Sequence, residues 1–406
     1  MKIDKTTVPK GQSQSCHHEN ENTLGDFSWV RVTQLLKESK ICQCLDCGLI
    51  YSANFPTGKA LELLNQELSV SWDVPDSRSI EKVGFVRSLF AGAGIALHNQ
   101  PVVDVGGGSG RTARAFREAG LPNAWTYDPY SAPDPSVSND TRLNNSELAD
   151  FFRSKSGIDG GVMTLFHVLE HVENPSQWLR ETMDTFDFSD GDYIVIEVPV
   201  LELEPLFPTD PNSFFAPFHI SHFTVGSLLE TVEAAGLYVL GAKAALDYNG
   251  WLILCARGSQ SRGLRAITRA DPFALVKNYQ AARSDAEAKL AQNLQNLCRQ
   301  NGTVVIWGLG VGFDALMRLF PSHPDNDFVF IDSDRSRREA FLGNWSDNFK
   351  SARISSPENF LSIRFGSSAA VVSGSYAKEV EILNTADKHR DSSLFNYFSF
   401  SPIRAY

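Results

Sequence analysis

Cysteine is scarce in this 406-residue chain: there are six, and four of them (Cys16, Cys42, Cys44 and Cys47) fall within the first 47 residues. So thin a supply excludes a disulfide scaffold, and in a reducing compartment a local cluster of thiols points to a metal ion instead. Basic residues are also in short supply. Lysine and arginine total 37 against 48 acids, for a net charge of −11, which argues against a nucleic-acid groove built on phosphate contacts. No apolar run is long enough to span a bilayer, and the opening Met-Lys-Ile-Asp-Lys lacks the apolar core of a secretion signal. The expectation is a cytoplasmic protein with neither a membrane nor a nucleic-acid partner. The remaining composition, 42% hydrophobic and 21% charged, is that of a globular chain, and the length calls for two or three domains.

What is present is organised around residues 101–114, Pro-Val-Val-Asp-Val-Gly-Gly-Gly-Ser-Gly-Arg-Thr-Ala-Arg. A short apolar run stops at an acid, breaks into glycines and gives way to a helical pattern, which predicts strand, tight turn and helix start. Gly106, Gly108 and Gly110 free the backbone for positive φ and leave main-chain N–H groups open to a ligand at a helix N-terminus. Dinucleotide loops want Gly-x-Gly-x-x-Gly, but here the third position of that pattern is Arg111. The alternating glycines with Asp104 two residues upstream resemble motif I of class I S-adenosylmethionine-dependent methyltransferases. The resemblance implies that the loop packs on the methionine part of that cofactor, with Asp104 near its amino group. Asp128, ending the next apolar run at Trp125-Thr-Tyr, stands where an acid grips ribose hydroxyls in nucleotide-binding βαβ units.

A later stretch, Gly161 to Pro175, contains His167-Val-Leu-Glu-His171-Val-Glu-Asn-Pro, which is similar to the segment after the fourth strand of many such methyltransferases. Residues 192–199 form a nearly unbroken apolar run, the mark of a strand buried on both faces. Beyond it, Leu201 to Phe218 is rich in proline and phenylalanine and is expected to act as a substrate lid at the ligand-binding edge of the sheet. Phe218-His219-Ile-Ser-His222-Phe-Thr then leads into a helix closed by Gly236 and a hairpin ending at Cys255. Upstream, residues 57–98 carry helical periodicity, with Val83, Val86, Phe90 and Leu97 on one face and a break at 71–75.

Near the N-terminus, Cys44-x-x-Cys47-Gly48 has the form of a zinc knuckle, two thiolates on a tight turn. Cys16 is the expected third ligand. For the fourth, His17, His18 and Glu19 compete, and His18 is preferred; a closed set of this kind holds a structural ion. At the other end, Thr303-Val-Val-Ile-Trp-Gly308-Leu-Gly310-Val-Gly312 repeats the strand and glycine turn, and Phe328 to Asp332 supplies a following strand with an acid at its end. No acid precedes Gly308, and Phe313 breaks the dinucleotide pattern, so a degenerate fold used for packing or substrate contact is favoured over a second cofactor site.

In this order, a knuckle ending Cys47-Gly48-Leu49, a class I domain with His-Val-Leu-Glu-His, and a unit with Trp307-Gly308-Leu309-Gly310 and Ile331-Asp332, the chain resembles the nucleotide-sugar C-methyltransferases of deoxysugar biosynthesis. The resemblance implies an α/β protein of three parts: a zinc-binding domain over residues 1–70, a class I methyltransferase Rossmann-like domain over 71–258, and a second Rossmann-like domain over 259–406. It also implies methylation of a carbon beside a keto group of a nucleotide-linked small-molecule substrate. Two departures bear on this. The family's Tyr-His-Glu-His is Ala216-Pro-Phe-His219 here, and no tyrosine lies between Tyr51 and Tyr127. Carbon methylation needs a base that titrates near neutrality. His171, His219 and His222 are the candidates, while His167 is expected at the cofactor rim. Methylation at oxygen or nitrogen would use the same groups more lightly, and a scaffold that only binds the cofactor would not use them at all.

Overall fold

The computed structural model describes residues 21–28, 38–55, 76–98, 100–130, 143, 160–206, 214–215, 219–245, 249–258, 270–309, 313, 316–317, 319, 326–344, 349, 351–362, 369–374, 379–388 and 395–398. These fall into two compact units, one formed by residues 1–27, 40–202 and 218–272, the other by 28–39, 203–217 and 273–406. No helix among the described residues is long and apolar enough to cross a membrane.

The first unit runs β1 (Glu21–Ser28), β2 (Glu38–Cys44), β3 (Ile50–Ser52), α1 (Asp76–Gly92), β4 (Val102–Val105), α2 (Arg111–Glu118), β5 (Ala124–Tyr127), β6 (Val162–Phe166), α3 (Pro175–Thr185), β7 (Tyr193–Val198), β8 (Ser221–His222), α4 (Val225–Ala234), β9 (Leu237–Ala245) and β10 (Gly250–Arg257). Its central sheet has the order β5-β4-β6-β7-β10-β9. The first four strands are parallel, and β10 runs antiparallel to both of its neighbours. Strands β4 and β6 are buried along their whole length, which is why their sequences are apolar apart from Asp104 and Thr164. The hairpin expected to end at Cys255 is the β9–β10 pair. Helix α1 lays Val83, Val86 and Phe90 on the core with Val102, Phe116, Val162 and Leu252, and each fully buried side chain of this size contributes roughly 2 kcal/mol. The helical register expected from the sequence is therefore right for these three residues. Leu97 lies past the helix end and packs on the same cluster from the irregular segment that follows. The first half of the expected helical stretch, residues 57–75, lies outside the described residues.

A smaller sheet of order β1-β2-β3-β8 joins the cysteine strand to His222. Its β3–β8 pairing, at one edge, sets Ile50 opposite His222 and Tyr51 opposite Ser221, so the strand that follows the knuckle backs a segment expected to hold catalytic histidines.

At the far end of β7, the side chain of Asn249 accepts from the Val200 N–H at 3.0 Å and donates to the Val200 carbonyl at 3.1 Å. Both residues are buried. Removing the amide strands two main-chain groups in the core, so Asn249→Ala is expected to lower the unfolding free energy by about 2 kcal/mol. Urea denaturation checks this, with an unchanged midpoint as the contrary result.

The second unit runs α5 (Pro272–Gln300), β11 (Thr303–Trp307), β12 (Asp327–Ile331), α6 (Arg335–Asn344), β13 (Ala352–Ser355), β14 (Ala369–Ser373), α7 (Glu379–Lys388) and β15 (Phe395–Phe398). Its sheet has the order β13-β12-β11-β14-β15, with every neighbouring pair parallel. Alternation along β11 sends Val304 and Ile306 to one core with Leu290, Leu294 and Phe328, and Val305 and Trp307 to another with Phe360 and Ile382. Helix α5 buries Val276, Tyr279, Leu290, Leu294 and Leu297. Of the stretch expected to form a lid, Phe214 and Phe215 are fully buried, the latter against Tyr279 at 5.5 Å between rings. That described piece is packed rather than exposed.

Candidate functional site

The glycine turn forms as its sequence requires. Gly106, Gly108 and Gly110 have φ of 73°, 58° and 94°, a region open to glycine and strained for most other residues. Gly110 caps α2 in this left-handed conformation. The turn is pinned at both ends: the Gly106 N–H donates to the Tyr127 carbonyl at 2.7 Å, and the Gly108 N–H to Asp128 Oδ2 at 2.9 Å. The other Asp128 oxygen accepts from the Tyr130 N–H at 2.8 Å. Asp128 thus holds the loop to the end of β5, which fixes the carboxylate in place for any hydroxyl pair it would also meet.

The middle glycine, passed over as the variable position of the motif, is the most confined. A Cβ on Gly107 would lie 2.2 Å from Thr126 Oγ1 and 2.5 Å from Asp104 Oδ2. One on Gly106 would lie 2.7 Å from Val168 Cγ2. The turn can therefore pack this closely on Asp104, Thr126 and Val168 only because two successive positions carry no side chain.

Beneath it, Thr126, Asp104 and Thr164 stand in register across three strands. Thr164 Oγ1 donates to Asp104 Oδ1 at 2.7 Å. Burial pushes the Asp104 carboxyl up to about 6, against the opposing pull of Lys82 and the Thr164 hydrogen bond. Lys82, from α1, is itself buried, with its ammonium 4.0 Å from Glu197 and over the Phe166 ring; burial lowers its pKa despite the acids around it. Nothing in the sequence marked Lys82 or Glu197. The first reads as an ordinary polar position of an amphipathic helix and the second as an interruption of a buried strand.

The histidines divide. His167 has φ of 58°, a strained backbone for a residue with a side chain, of the kind that collects at functional sites. Its N–H donates to the Glu197 carbonyl at 2.9 Å, and its ring Nδ1 meets Glu170 Oε1 at 2.9 Å. Glu170, on the single 3-10 turn Leu169–His171, is 1% exposed. Burial alone would raise its carboxyl, but the His167 hydrogen bond and the charges of His167, His171 and His219 outweigh it and hold the group at about 2. The structure brings His171 and His219 together, with ring centroids 5.2 Å apart, and His222 next to them at 6.4 Å from His219. The Ile220 N–H donates to the Glu170 carbonyl at 2.7 Å, so β8 and the 3-10 turn are stitched together. His222 Nε2 lies 3.0 Å from Ser52 Oγ, which also donates to the His219 carbonyl. All three histidines expected as candidate bases therefore meet beside the segment that follows β6.

Cys44 ends β2 and Cys47 sits on the turn that follows, where the Gly48 N–H donates to the Cys44 carbonyl and Gly48 has φ of 74°. Cys42 joins them in one cluster with Tyr51. Strand alternation puts residues 42 and 44 on the same face, a signal present in the sequence and not used there. The sulfurs of Cys42, Cys44 and Cys47 nonetheless do not all come within 4.8 Å of one another, so these three alone do not make a ready ion site. The other expected ligands, Cys16 and His18, lie outside the described residues.

The second unit repeats the turn's fastening. Its Gly308 N–H donates to the Ile331 carbonyl at 2.7 Å, Leu309 N–H to Asp332 Oδ2 at 2.7 Å, and Asp334 N–H to Asp332 Oδ1 at 2.8 Å. Ile306 stands where Asp104 stands in the first unit, and Asp332 has Arg337 4.0 Å away.

No curated protein matches the chain. Among solved structures, it is similar to an S-adenosylmethionine-dependent methyltransferase from Clostridium acetobutylicum at 10% identity, over 50% of this chain and 98% of that one, with a TM-score of 0.29. It is also similar to the N,N-8-amino-8-demethyl-D-riboflavin dimethyltransferase of Streptomyces davawensis at 18% identity, over 40% and 50%, with a TM-score of 0.28. A third is a mitomycin 7-O-methyltransferase at 14% identity, over 50% and 55%, with a TM-score of 0.26. Scores this low bear on neither fold nor function, and the chain spans about half the length of several structures it matches. The family described as "Methyltransferase domain" matches residues 84–241, the stretch that contains the glycine turn, Asp104, Asp128 and the histidines. The chain therefore carries a class I S-adenosylmethionine-dependent methyltransferase domain.

Proposed function

We propose that the chain transfers a methyl group from S-adenosylmethionine to a small molecule, at the carbon beside the keto group of a nucleotide-linked deoxysugar. The observation that supports this best is the gathering of three histidines at the segment after β6, whose Val168 lies against the turn at Gly106. When bound, the cofactor supplies a methyl carbon already activated by a positively charged sulfur. The protein's share is then to align and to exclude water. The turn at residues 106–110 would lie against the cofactor, with Asp104 to hold its amino group and Asp128 its ribose. His167 closes the rim, held by Glu170 and Glu197.

On the acceptor side, a proton leaves the carbon next to the carbonyl, and the base is drawn from His171, His219 and His222. Glu170, held ionised by the histidines around it, keeps a negative charge beside the first two. Around this domain, which we take as residues 71–258, we read residues 1–70 as a zinc-binding part with Cys16, His18, Cys44 and Cys47 as ligands. Residues 259–406 make a Rossmann-like part kept for packing or for contact with the acceptor. Methyl transfer to oxygen or nitrogen is the second reading, favoured by Phe218 where the resembled family has glutamate.

Incubation with methyl-labelled cofactor and a panel of nucleotide-linked keto-deoxysugars tests the proposal, with nuclear magnetic resonance locating the label. Label on carbon is expected. Label on a hydroxyl or amine supports the second reading, and saturable cofactor binding with no transfer to any acceptor leaves only a scaffold. In the active case, replacing the base among His171, His219 and His222 by asparagine lowers kcat by about 100-fold to 10,000-fold.

A further inference from the structure

Glu170, His171 and His219 have a feature that acid-base work does not need. One ligand-type atom from each lies within 4.8 Å of the other two. Glu170 Oε1 is taken by His167, whereas Oε2 is buried and has no hydrogen-bond partner among the described residues. A buried carboxylate oxygen left so is expensive unless something else satisfies it.

We propose that Glu170, His171 and His219 form a binding site for a divalent transition-metal ion. Two imidazoles and a carboxylate are the donor set of open metal sites, which keep positions for substrate, and not of the closed sulfur-rich sites that only hold a fold together. The supports are already built. His167 orients the carboxylate through its second oxygen, the outer partner that metal-binding carboxylates usually have. The Ile220 N–H fastens the backbone of Glu170 to that of the His219 segment, and Ser52 Oγ holds the His219 carbonyl at 3.0 Å. Ligand atoms around a tetrahedral ion lie about 3.4 Å apart, a closure that small rotations of two rings and one carboxylate supply.

The site's existence does not depend on the methyltransferase reading, but its use does. If the acceptor is a keto sugar, the ion binds its carbonyl oxygen, and a neighbouring hydroxyl completes a chelate. Negative charge that gathers on that oxygen when the adjacent carbon loses its proton is then met by the cation. His171 and His219 serve as ligands in that state, which leaves His222 as the base of the three. The acceptor class narrows to molecules that present a carbonyl with an oxygen next to it.

The full-length protein, stripped with chelator and dialysed against cobalt(II), provides the test, with bound metal counted by mass spectrometry and its absorption recorded. A histidine–carboxylate site gives ligand-field bands without the sulfur charge-transfer absorption of the cysteine cluster. That component is expected in the wild type and weakened by about 100-fold in affinity in His171→Asn and in His219→Asn. Equal binding of cobalt by wild type and variants, or a spectrum from sulfur alone, overturns the proposal. Should the variants fail to fold, the wild type still decides: zinc is expected to shield His171 and His219 from acylation by diethyl pyrocarbonate while exposed His98 reacts as before. Equal acylation with and without zinc also overturns it. Calorimetry with S-adenosylmethionine on the same samples separates the two ideas. Cobalt binding without cofactor binding counts against the methyltransferase reading alone, and the converse counts against the metal site alone.

Discussion

Gly107→Ala is expected to abolish useful cofactor binding, by about 100-fold or more in affinity, which corresponds to about 2.7 kcal/mol. The methyl group would fall 2.2 Å from Thr126 Oγ1 and 2.5 Å from Asp104 Oδ2, far inside contact distance. Neither neighbour is a loose end that can swing away. Both are buried in the sheet, Asp104 on β4 and Thr126 on the edge strand β5, and Asp104 is tied to Thr164 at 2.7 Å. The turn must lift or the carboxylate must move, and either change removes the surface on which the cofactor is to lie. Overpacking of this kind also lowers stability by about 1–3 kcal/mol. Gly84→Ala is the control: that glycine lies exposed in α1 with nothing within 4 Å of the added carbon, so the same substitution there is expected to stabilise by about 0.5–1 kcal/mol. Isothermal calorimetry and thermal melts of the two variants read the contrast. Wild-type affinity in Gly107→Ala would remove the turn from the site.

How much of this was visible beforehand follows from distance along the chain. The turn, its acids and the hairpin after it are local patterns, and residues 101–130 form the strand, turn, helix and strand that their order suggests. The grouping of His171 with His219 and His222 was only half visible. Each histidine stood out, but their meeting depends on the Ile220 N–H reaching the Glu170 carbonyl, which joins two segments well apart in the chain. Ser52 as the partner of His222 arises the same way. Lys82 and Glu197 were hidden for a further reason. A lone charge in a helix or strand pattern looks like a solvent-facing position, and only the closed sheet places the lysine of α1 and the glutamate of β7 together with Asp104. Gly107 was overlooked because a motif written with gaps treats its neighbour-facing middle residue as free. The order of packing around Asp104 and Thr126 decides that it is not.

Asp104→Asn carries the other large effect, and here binding and stability move in opposite directions. Asp104 is buried, and its carboxyl is raised from 3.8 to about 6 by that burial, with Asp128 and Glu197 adding to the rise and Lys82 and Thr164 opposing it. An acid whose pKa is higher folded than unfolded binds its proton more tightly in the native state. Its contribution to stability is therefore present at low pH and is lost as pH climbs from about 4 through about 6. About two pH units at roughly 1.4 kcal/mol each set the loss at about 3 kcal/mol. Asparagine keeps an oxygen for Thr164 and never ionises, so the variant is expected to lack this decline and to be the more stable protein at pH 7.5. Binding runs the other way, because the cofactor's amino group calls for the anion. Wild-type affinity should fall about tenfold between pH 7 and pH 5, while the asparagine variant should bind about 100-fold more weakly at pH 7.5, with no dependence on pH in this range. Calorimetry across pH together with melts of both proteins measures the two slopes. A wild-type affinity that stays flat from pH 7 to pH 5, or a variant that binds as the wild type does, would show that the carboxylate supports the sheet and does not touch the cofactor.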